Sequence, residues 1–306
     1  MLTLDRVKLI ATLDSLISYT PEMFTSLLGG RILSFQTKEP FELSVQIKSR
    51  EHELVIEFTG KILGEDYSQL ISKNTILKCF DRLKELGICE VDPVMMMRAR
   101  VAKVDITKDY YIEDIPSLAR YVKASIRNNQ KYSCKKYNRG ATIEKVVSSS
   151  KYWSRLKIYD KEHEMKLSEN QPFVSENGLE GQFDGLCRFE LSLVSMTQIR
   201  KALGITGDTL EEVLRSERNP IRDYLDVVLA EDPERKGINC WNDYVKHCIL
   251  RDCDGDLGKV EARLRQFKNS RSTNIPKTVD SFRGILAGLS DSSSTWSKSK
   301  LLDIVK

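Results

Sequence analysis

This 306-residue chain is poor in the features that usually place a protein quickly. Its seven cysteines, at positions 79, 89, 134, 187, 240, 248 and 253, include no CxxC pair. The odd number and irregular spacing argue against a disulfide framework and a zinc site, and read as reduced structural thiols. No apolar run approaches the roughly 20 residues needed to span a bilayer, and the opening segment MLTLDRVKLIATLDSL is charged where a signal peptide needs an unbroken apolar stretch. The expectation is a protein of the cytoplasm with no membrane partner. A GxxxxGK[ST] phosphate-binding loop is absent, so the chain shows no motif for drawing on a nucleoside triphosphate. Histidine is scarce and scattered (His52, His163, His247), with no histidine-hydrophobe-histidine element, and no internal repeat is visible.

What is present is ordinary in bulk and uneven in distribution. Apolar residues at 41% and charged residues at 30% fit a globular protein, and the length accommodates a catalytic domain over 1–204 followed by a smaller helical part over 205–306. A net charge of +4 is weak evidence for a polyanionic partner. Local density says more. From Lys123 to Lys161 the chain holds Arg127, Lys131, Lys135, Lys136, Arg139, Lys145, Lys151, Arg155 and Lys157, interleaved with Tyr132, Tyr137, Tyr152 and Trp153. Cations beside stacking faces suit single-stranded DNA. A solvated loop between strands is the competing reading of such a stretch.

Alternation marks strands at 53–59 (ELVIEFT), about 100–111 (RVAKVDITKDYY), 153–159 (WSRLKIY) and 186–194 (LCRFELSLV). Helical spacing marks 66–86, closed by Gly87, and 115–126. A loop rich in glycine and asparagine joins the last two strands. Beyond Met196 only helices are expected: 196–203 stopped by Gly204, then 208–217, 221–230, 239–250 and 257–268. The boundary is placed at 204–207. Residues 257–286 read as a packing helix pair, with a helix-turn-helix as the alternative. The serine-rich segments 270–277 and 290–300 read as loosely held.

If Leu, Ile and Phe face the core, the opposite face of these strands collects Glu57, Asp105, Thr107, Asp109, Lys157, Tyr159, Arg188 and Glu190. Converging acids repel one another, and a hard divalent cation such as Mg2+ or Mn2+ makes such a cluster tolerable. Taken singly, each acid is a solvated surface group; only convergence favours metal binding. Asp105 and Asp109 would lie about 13 Å apart in an extended strand, so Asp105 ranks first as a ligand. Tyr159 stands in RLKIYDKEHE, with Lys157, Lys161 and His163 nearby. A phenol at its usual pKa near 10 is a poor nucleophile, and a cation, a metal-polarised phosphate or a base must assist it.

RLKIYDKEHE followed by LCRFELSL resembles a paired signature of replication initiators, YNKKQE or YDKxxE and then RxEIEL. The resemblance is to the plasmid Rep_trans family and the related filamentous-phage replication endonucleases, distant relatives of HUH endonucleases. EHELVIEFTGKIL at 51–63 is similar to the family's RxEFxPxKL element, and KVDITKD at 103–109 to its RLDLAFD strand, so the similarity spans about residues 45–200. It implies an α+β fold with a mainly antiparallel central sheet, helices on one face and an all-helical C-terminal part. It also implies that Tyr159 is the nucleophile, that Asp105, Glu190 and Glu164 belong to the metal site, and that Lys151 to Arg155 form a basic approach to the tyrosine. The shared polar face adds Glu57 and Asp109 as further ligands, and Lys157, Lys161 and Arg188 as groups that stabilise charge at the phosphate. His163 reads equally as completing the site or acting as a base and as a phosphate contact or plain surface residue, and the cation-rich stretch offers Lys151, Arg155, Lys157, Lys135, Lys136, Arg139, Tyr152 and Trp153 to hold DNA. The family's second acid in RxEIEL is Ser192 in this chain. Carboxylates in place of imidazoles favour Mg2+ or Mn2+ over softer metals.

The implied activity is nicking at an origin in a bacterial host cell, giving a 5'-phosphotyrosine and starting rolling-circle replication of a phage or plasmid. Tyr152 and Tyr137 are nearby candidates for a second nucleophile. The implied partners are origin DNA, single-stranded or as a hairpin, and a host helicase met by the C-terminal part; a homodimer is compatible. The rival reading is a non-catalytic DNA-binding regulator on the same scaffold. An RNA-binding sheet is disfavoured because acids stand where its mid-sheet aromatics should be.

Overall fold

The computed structural model describes residues 1–126, 132–145, 154–230, 240–253, 255–266, 275–290 and 296–306. Its strands are β1 Leu4–Thr12, β2 Leu16–Tyr19, β3 Thr25–Leu27, β4 Ile32–Thr37, β5 Leu43–Lys48, β6 Glu53–Thr59, β7 Cys89–Val91, β8 Arg100–Tyr111, β9 Tyr132–Tyr137, β10 Gly140–Lys145, β11 Arg155–Asp160 and β12 Leu186–Leu193. Ten of them form one antiparallel sheet in the order β3-β4-β5-β6-β1-β8-β12-β11-β10-β9, and β2 pairs with β7 separately. The helices are α1 Ile76–Glu85, α2 Pro93–Met97, α3 Ile115–Ser125, α4 Lys161–Met165, α5 Gln171–Glu176, α6 Met196–Leu203, α7 Leu210–Arg215, α8 Pro220–Val228, α9 Trp241–Asp252, α10 Leu257–Gln266, α11 Ile275–Ser290 and α12 Lys298–Ile304. The fold is α+β, as the sequence suggested, with a wider sheet than its four legible strands.

Strand alternation divides the sheet into two chemically distinct faces. Leu9, Ile56, Phe58, Val104, Ile106, Ile158, Phe189 and Leu191 are buried in one core, which also takes residues of α3, α6, α7 and α8. Side chains at alternate positions point the other way and make an open polar face. Register places Asp105 opposite Ser192, Thr107 opposite Glu190 and Asp109 opposite Arg188, while Glu190 faces Lys157 and Arg188 faces Tyr159. Because the side-chain period is two, every one of these residues shares that face.

Several expectations change. The helix anticipated over 66–86 is split into a 3-10 stretch at 60–69 and α1, because Ile71 leaves the helical path to exchange backbone hydrogen bonds with Leu4 at 2.8 and 3.0 Å. The Thr75 hydroxyl donates to the Leu70 carbonyl and re-nucleates the chain as α1. The segment between β11 and β12 contains α4 and α5 in place of a plain loop. Gly204 does end α6 in the left-handed region, at φ 66°.

The core does not break at 204–207. Leu210, Val213, Leu225 and Val228 bury in the same core as the sheet, and so do Leu301 and Val305 of the chain's last segment. Of the stretch 290–300 expected to be loose, residues 296–300 are packed, with Ser297 capping α12, while 291–295 and 270–274 lie outside the described residues. Helices α9, α10 and α11 pack around their own small cluster of Leu250, Cys253, Val260 and Phe282, which fits the helix-packing reading of 257–286.

Candidate active site

The open face carries a cavity of about 1300 Å³ lined by residues of β1, β6, β8, β9, β10, β11 and β12, with one wall from the segment 38–42 and another from 164–176. Tyr159, Lys157, Glu190, Asp105, Glu164, Arg155 and Arg139 all line it. The half-buried Tyr159 hydroxyl donates to Glu190 Oε2 at 3.3 Å, and Lys157 Nζ donates to Glu190 Oε1 at 2.6 Å. Asp105 and Glu190 are diagonal neighbours across β8 and β12, roughly 7 Å apart at Cα. Asp105 meets the Arg6 guanidinium through Oδ2 at 3.6 Å, while its Oδ1 is buried with no hydrogen-bond partner.

Beside these groups, on the same face, lies a buried charged cluster whose pairing strand alternation could not reveal. Arg188 is fully buried. Its Nε and Nη2 donate to both oxygens of Asp109 at 2.7 and 2.6 Å, and its Nη1 donates to Asp5 Oδ1 at 3.0 Å and to the Tyr67 hydroxyl at 2.9 Å. Lys161, also buried, donates to the same Tyr67 hydroxyl at 2.8 Å and to Glu164 Oε2. The Tyr67 ring is held edge-on against Phe173 and tilted against Phe183, inside a small apolar cluster with Met165, Val174 and Leu179. The residues between β11 and β12 therefore build a secondary core that fixes one phenol between two buried cations.

Asp5 and Tyr67 are the site residues that the sequence reading missed. Asp5 precedes Arg6 in β1, so simple alternation assigns only one of them to the open face. The β1–β8 register shifts between Leu4 and Arg6, and this irregularity lets consecutive residues both reach the cavity. Burial works to raise the Asp5 carboxyl, but Arg188, Lys161 and the Tyr67 hydrogen bond outweigh it and hold it below its ordinary range. Tyr67 is pushed well above the usual phenol value, first by burial.

The acids around Tyr159 are less well neutralised. Burial pushes the Glu190 carboxyl up; Lys157 opposes the shift, while Asp5 and Asp105 add to it. Burial likewise drives the Tyr159 phenol well above its ordinary value; Arg188 opposes this, and the carboxylates of Glu164, Glu190 and Asp5 reinforce it. Lys161 is lowered by burial and by Arg188, against the pull of Glu164 and Asp5.

Other expected site residues fall elsewhere. Asp109 is taken up by the bidentate Arg188, and Glu57 is held by Lys103 at 3.0 Å and Lys8 at 3.2 Å, with β1 between it and Asp105. Neither stands ready as a ligand. Arg188 and Lys161 are enclosed and do not face solvent, although Arg188 is the cross-strand neighbour of Tyr159. His163 is exposed and does not line the cavity, because the Asp160 cap sets α4 with His163 facing outward. Lys135 shares the open face, whereas Lys136, opposite Ala141, lies on the other one. Arg127, Lys131, Lys151, Tyr152 and Trp153 lie outside the described residues. Among the described residues, no three His, Cys, Asp or Glu side chains are assembled as a ready metal cluster.

Residues 64–212, just under half of the chain, match the family model Phage_CRI, which describes the N-terminal part of a replication-associated protein. The matched stretch contains Tyr67, Asp105, Tyr159, Glu164, Arg188 and Glu190. Among solved structures, a rolling circle replication initiator protein from Geobacillus stearothermophilus overlaps 64% of this chain and 75% of that one, at 14% identity and a TM-score of 0.33. An overlap that shallow bears on no residue of the site. A search of curated proteins finds no match. The matched family is one of replication-associated proteins, in keeping with the replication reading that the paired motifs of β11 and β12 suggested.

Proposed function

We propose that this protein is a replication initiator that nicks one DNA strand at an origin, with Tyr159 as the attacking group. The family match supports the initiator role. The observation that carries the chemistry is the Tyr159 phenol hydrogen-bonded to Glu190 at the floor of a cavity that also holds Asp105. Glu190, which already accepts the phenol's hydrogen bond, is placed to accept its proton. The phenolate oxygen attacks the phosphorus in line, the bond to the 3' oxygen breaks, and that oxygen takes a proton from water to leave as a 3'-OH, the proton on Glu190 returning to the solvent. A 5'-phosphotyrosine remains, and it conserves the phosphodiester for a later strand transfer.

Lys157, on the cavity side of Glu190, and Arg155 and Arg139 at the rim are placed to meet phosphate oxygens. Arg188 and Lys161, locked by Tyr67, Asp5, Asp109 and Glu164, set the position of β12 and α4 beside Tyr159. The residues present suit a divalent cation. Asp105 offers a buried oxygen without a partner, Glu190 lies diagonal to it, and Mg2+ is commonly held by one or two carboxylates together with substrate phosphate and water. Mg2+ or Mn2+ bound by Asp105 and Glu190 would supply charge neutralisation at the scissile phosphate.

The experiment is a supercoiled plasmid carrying the cognate origin, incubated with Mg2+ or Mn2+. Nicking should fall at least about 10⁴-fold in Tyr159→Phe while origin binding persists, and mass spectrometry of the trapped adduct should place the oligonucleotide on Tyr159. An adduct on another residue sinks the assignment. Origin binding without nicking by the unmodified chain instead supports the regulator reading. A host helicase remains the partner this reading calls for, because the chain has no phosphate-binding loop.

A further inference from the structure

The row of the sheet that carries Tyr159 continues onto the two strands beyond it. Register pairs Tyr159 with Gly140 on β10, and Gly140 with Tyr137 on β9, the last strand of the sheet. Two tyrosines thus stand on one face, in one row, with a glycine between them. Adjacent strands lie about 4.8 Å apart, which sets the two tyrosine Cα atoms roughly 10 Å from each other. All three residues line the cavity. Their states differ: Tyr159 is half-buried and bonded to Glu190, whereas Tyr137 is 55% exposed.

Position 140 itself accommodates no residue larger than glycine. A Cβ at Gly140 would lie 2.2 Å from the Ile158 carbonyl oxygen and 3.0 Å from Tyr159 Cα, both backbone atoms that cannot step aside. The gap beside the nucleophile is therefore built into the close approach of β10 and β11.

Resting on the nicking reading above, we infer that this gap is a nucleobase subsite. The Tyr137 ring stacks the base of a nucleotide next to the scissile phosphate, and Gly140 leaves the floor clear for it. Lys135 lies two residues before Tyr137 on the same face, and Arg139, in the turn after Tyr137 and paired with Asp160 at 2.7 Å, lines the cavity, so cations are at hand for the backbone of the strand. A phenol face accepts any base but only one released from its duplex neighbours, so the strand held here is single-stranded.

The test separates binding from cutting by using full-length Tyr159→Phe protein as the background. Binding of a short fluorescein-labelled oligothymidylate is measured by anisotropy, with a duplex of equal length as the comparison. Adding Tyr137→Ala should weaken single-strand binding by about ten-fold or more, Tyr137→Phe should retain it, and duplex binding should change little. A 2-aminopurine moved along the origin strand should be quenched most at one position beside the nick, and the quench should vanish in Tyr137→Ala. Equal affinity in Tyr137→Ala, or a loss in Tyr137→Phe as large as in Tyr137→Ala, overturns the subsite, since a stacking ring does not need its hydroxyl. A covalent adduct on Tyr137 overturns it as well. If the unmodified chain fails to nick yet Tyr137→Ala still loses single-strand affinity, the subsite stands and the nucleophile assignment falls.

Discussion

Glu57 and Glu190 stand on the same face of one sheet, three strand positions apart, and end in opposite states. Burial works to raise the Glu57 carboxyl, but Lys103 and Lys8 overrule it and hold the group below its ordinary range. Burial also raises Glu190, where one ammonium, that of Lys157, is set against Asp5 and Asp105, and the group stays above its range. Neutralised acids such as Glu57 tie strands together. An under-neutralised acid such as Glu190 retains capacity for a proton or a cation, and it is the one hydrogen-bonded to Tyr159. A polar face is therefore a poor guide to a site until each charge is matched to its partners.

The comparison can be broken most forcefully at the buried cluster. Arg188→Met leaves the Asp109 carboxylate without its bidentate partner and Asp5 and Tyr67 without a donor, and should cost about 3–5 kcal/mol of stability in chemical denaturation. A loss below about 1 kcal/mol would mean that the buried cluster does not hold the site together.

Next in size is the contrast between the two acids. Asp105→Asn and Glu190→Gln should each reduce origin nicking on the order of 100-fold, while Glu57→Gln stays within about two-fold and loses at most about 1 kcal/mol of stability. Equal losses at Glu57 and Glu190 in a plasmid-nicking time course would erase the distinction drawn here.

The same pair predicts opposite pH behaviour. Glu190 binds its proton more tightly in the folded state than in the unfolded one. Its burial cost is therefore absent below the ordinary carboxyl value of 4.5 and grows as pH rises through the folded pKa. Glu190→Gln should raise the thermal midpoint at pH 7, by an effect on the order of 1 kcal/mol, and give no gain at acid pH. For Glu57 the sign reverses: its contribution is present above the ordinary value and lost as pH falls through the lower folded pKa. Melting curves of the Glu190→Gln and Glu57→Gln proteins at two pH values would show whether the signs differ. The smallest effect is expected at His163, which points away from the cavity; His163→Ala should leave nicking unchanged within error and stability within about 0.5 kcal/mol.

Much of the fold was legible where a strand has one apolar and one polar side. ELVIEFT, RLKIYD and LCRFELSL show that alternation and became β6, β11 and β12. The strands of residues 4–48 went unread although LDRVKLIAT holds its own alternation, because an irregularity spaces the buried Leu4 and Val7 three apart instead of two. The helix expected at 66–86 failed for a long-range reason, the pairing of Ile71 with Leu4. In the site, Tyr159, Asp105 and Glu190 were legible from face and motif together. Asp5 and Tyr67 were not, since neither belongs to a motif and both gain their importance from partners more than ninety residues away.

Along the regular strands the sequence alone determined which side chains share a face, because the covalent geometry of an extended chain turns successive side chains to opposite sides; the β1 irregularity at Asp5 and Arg6 is where it did not. Tertiary structure alone decided which charges on that face are satisfied. That outcome depends on what arrives from other strands and from the insert between β11 and β12, and electrostatic partnership is set by distance in space, to which sequence separation is blind.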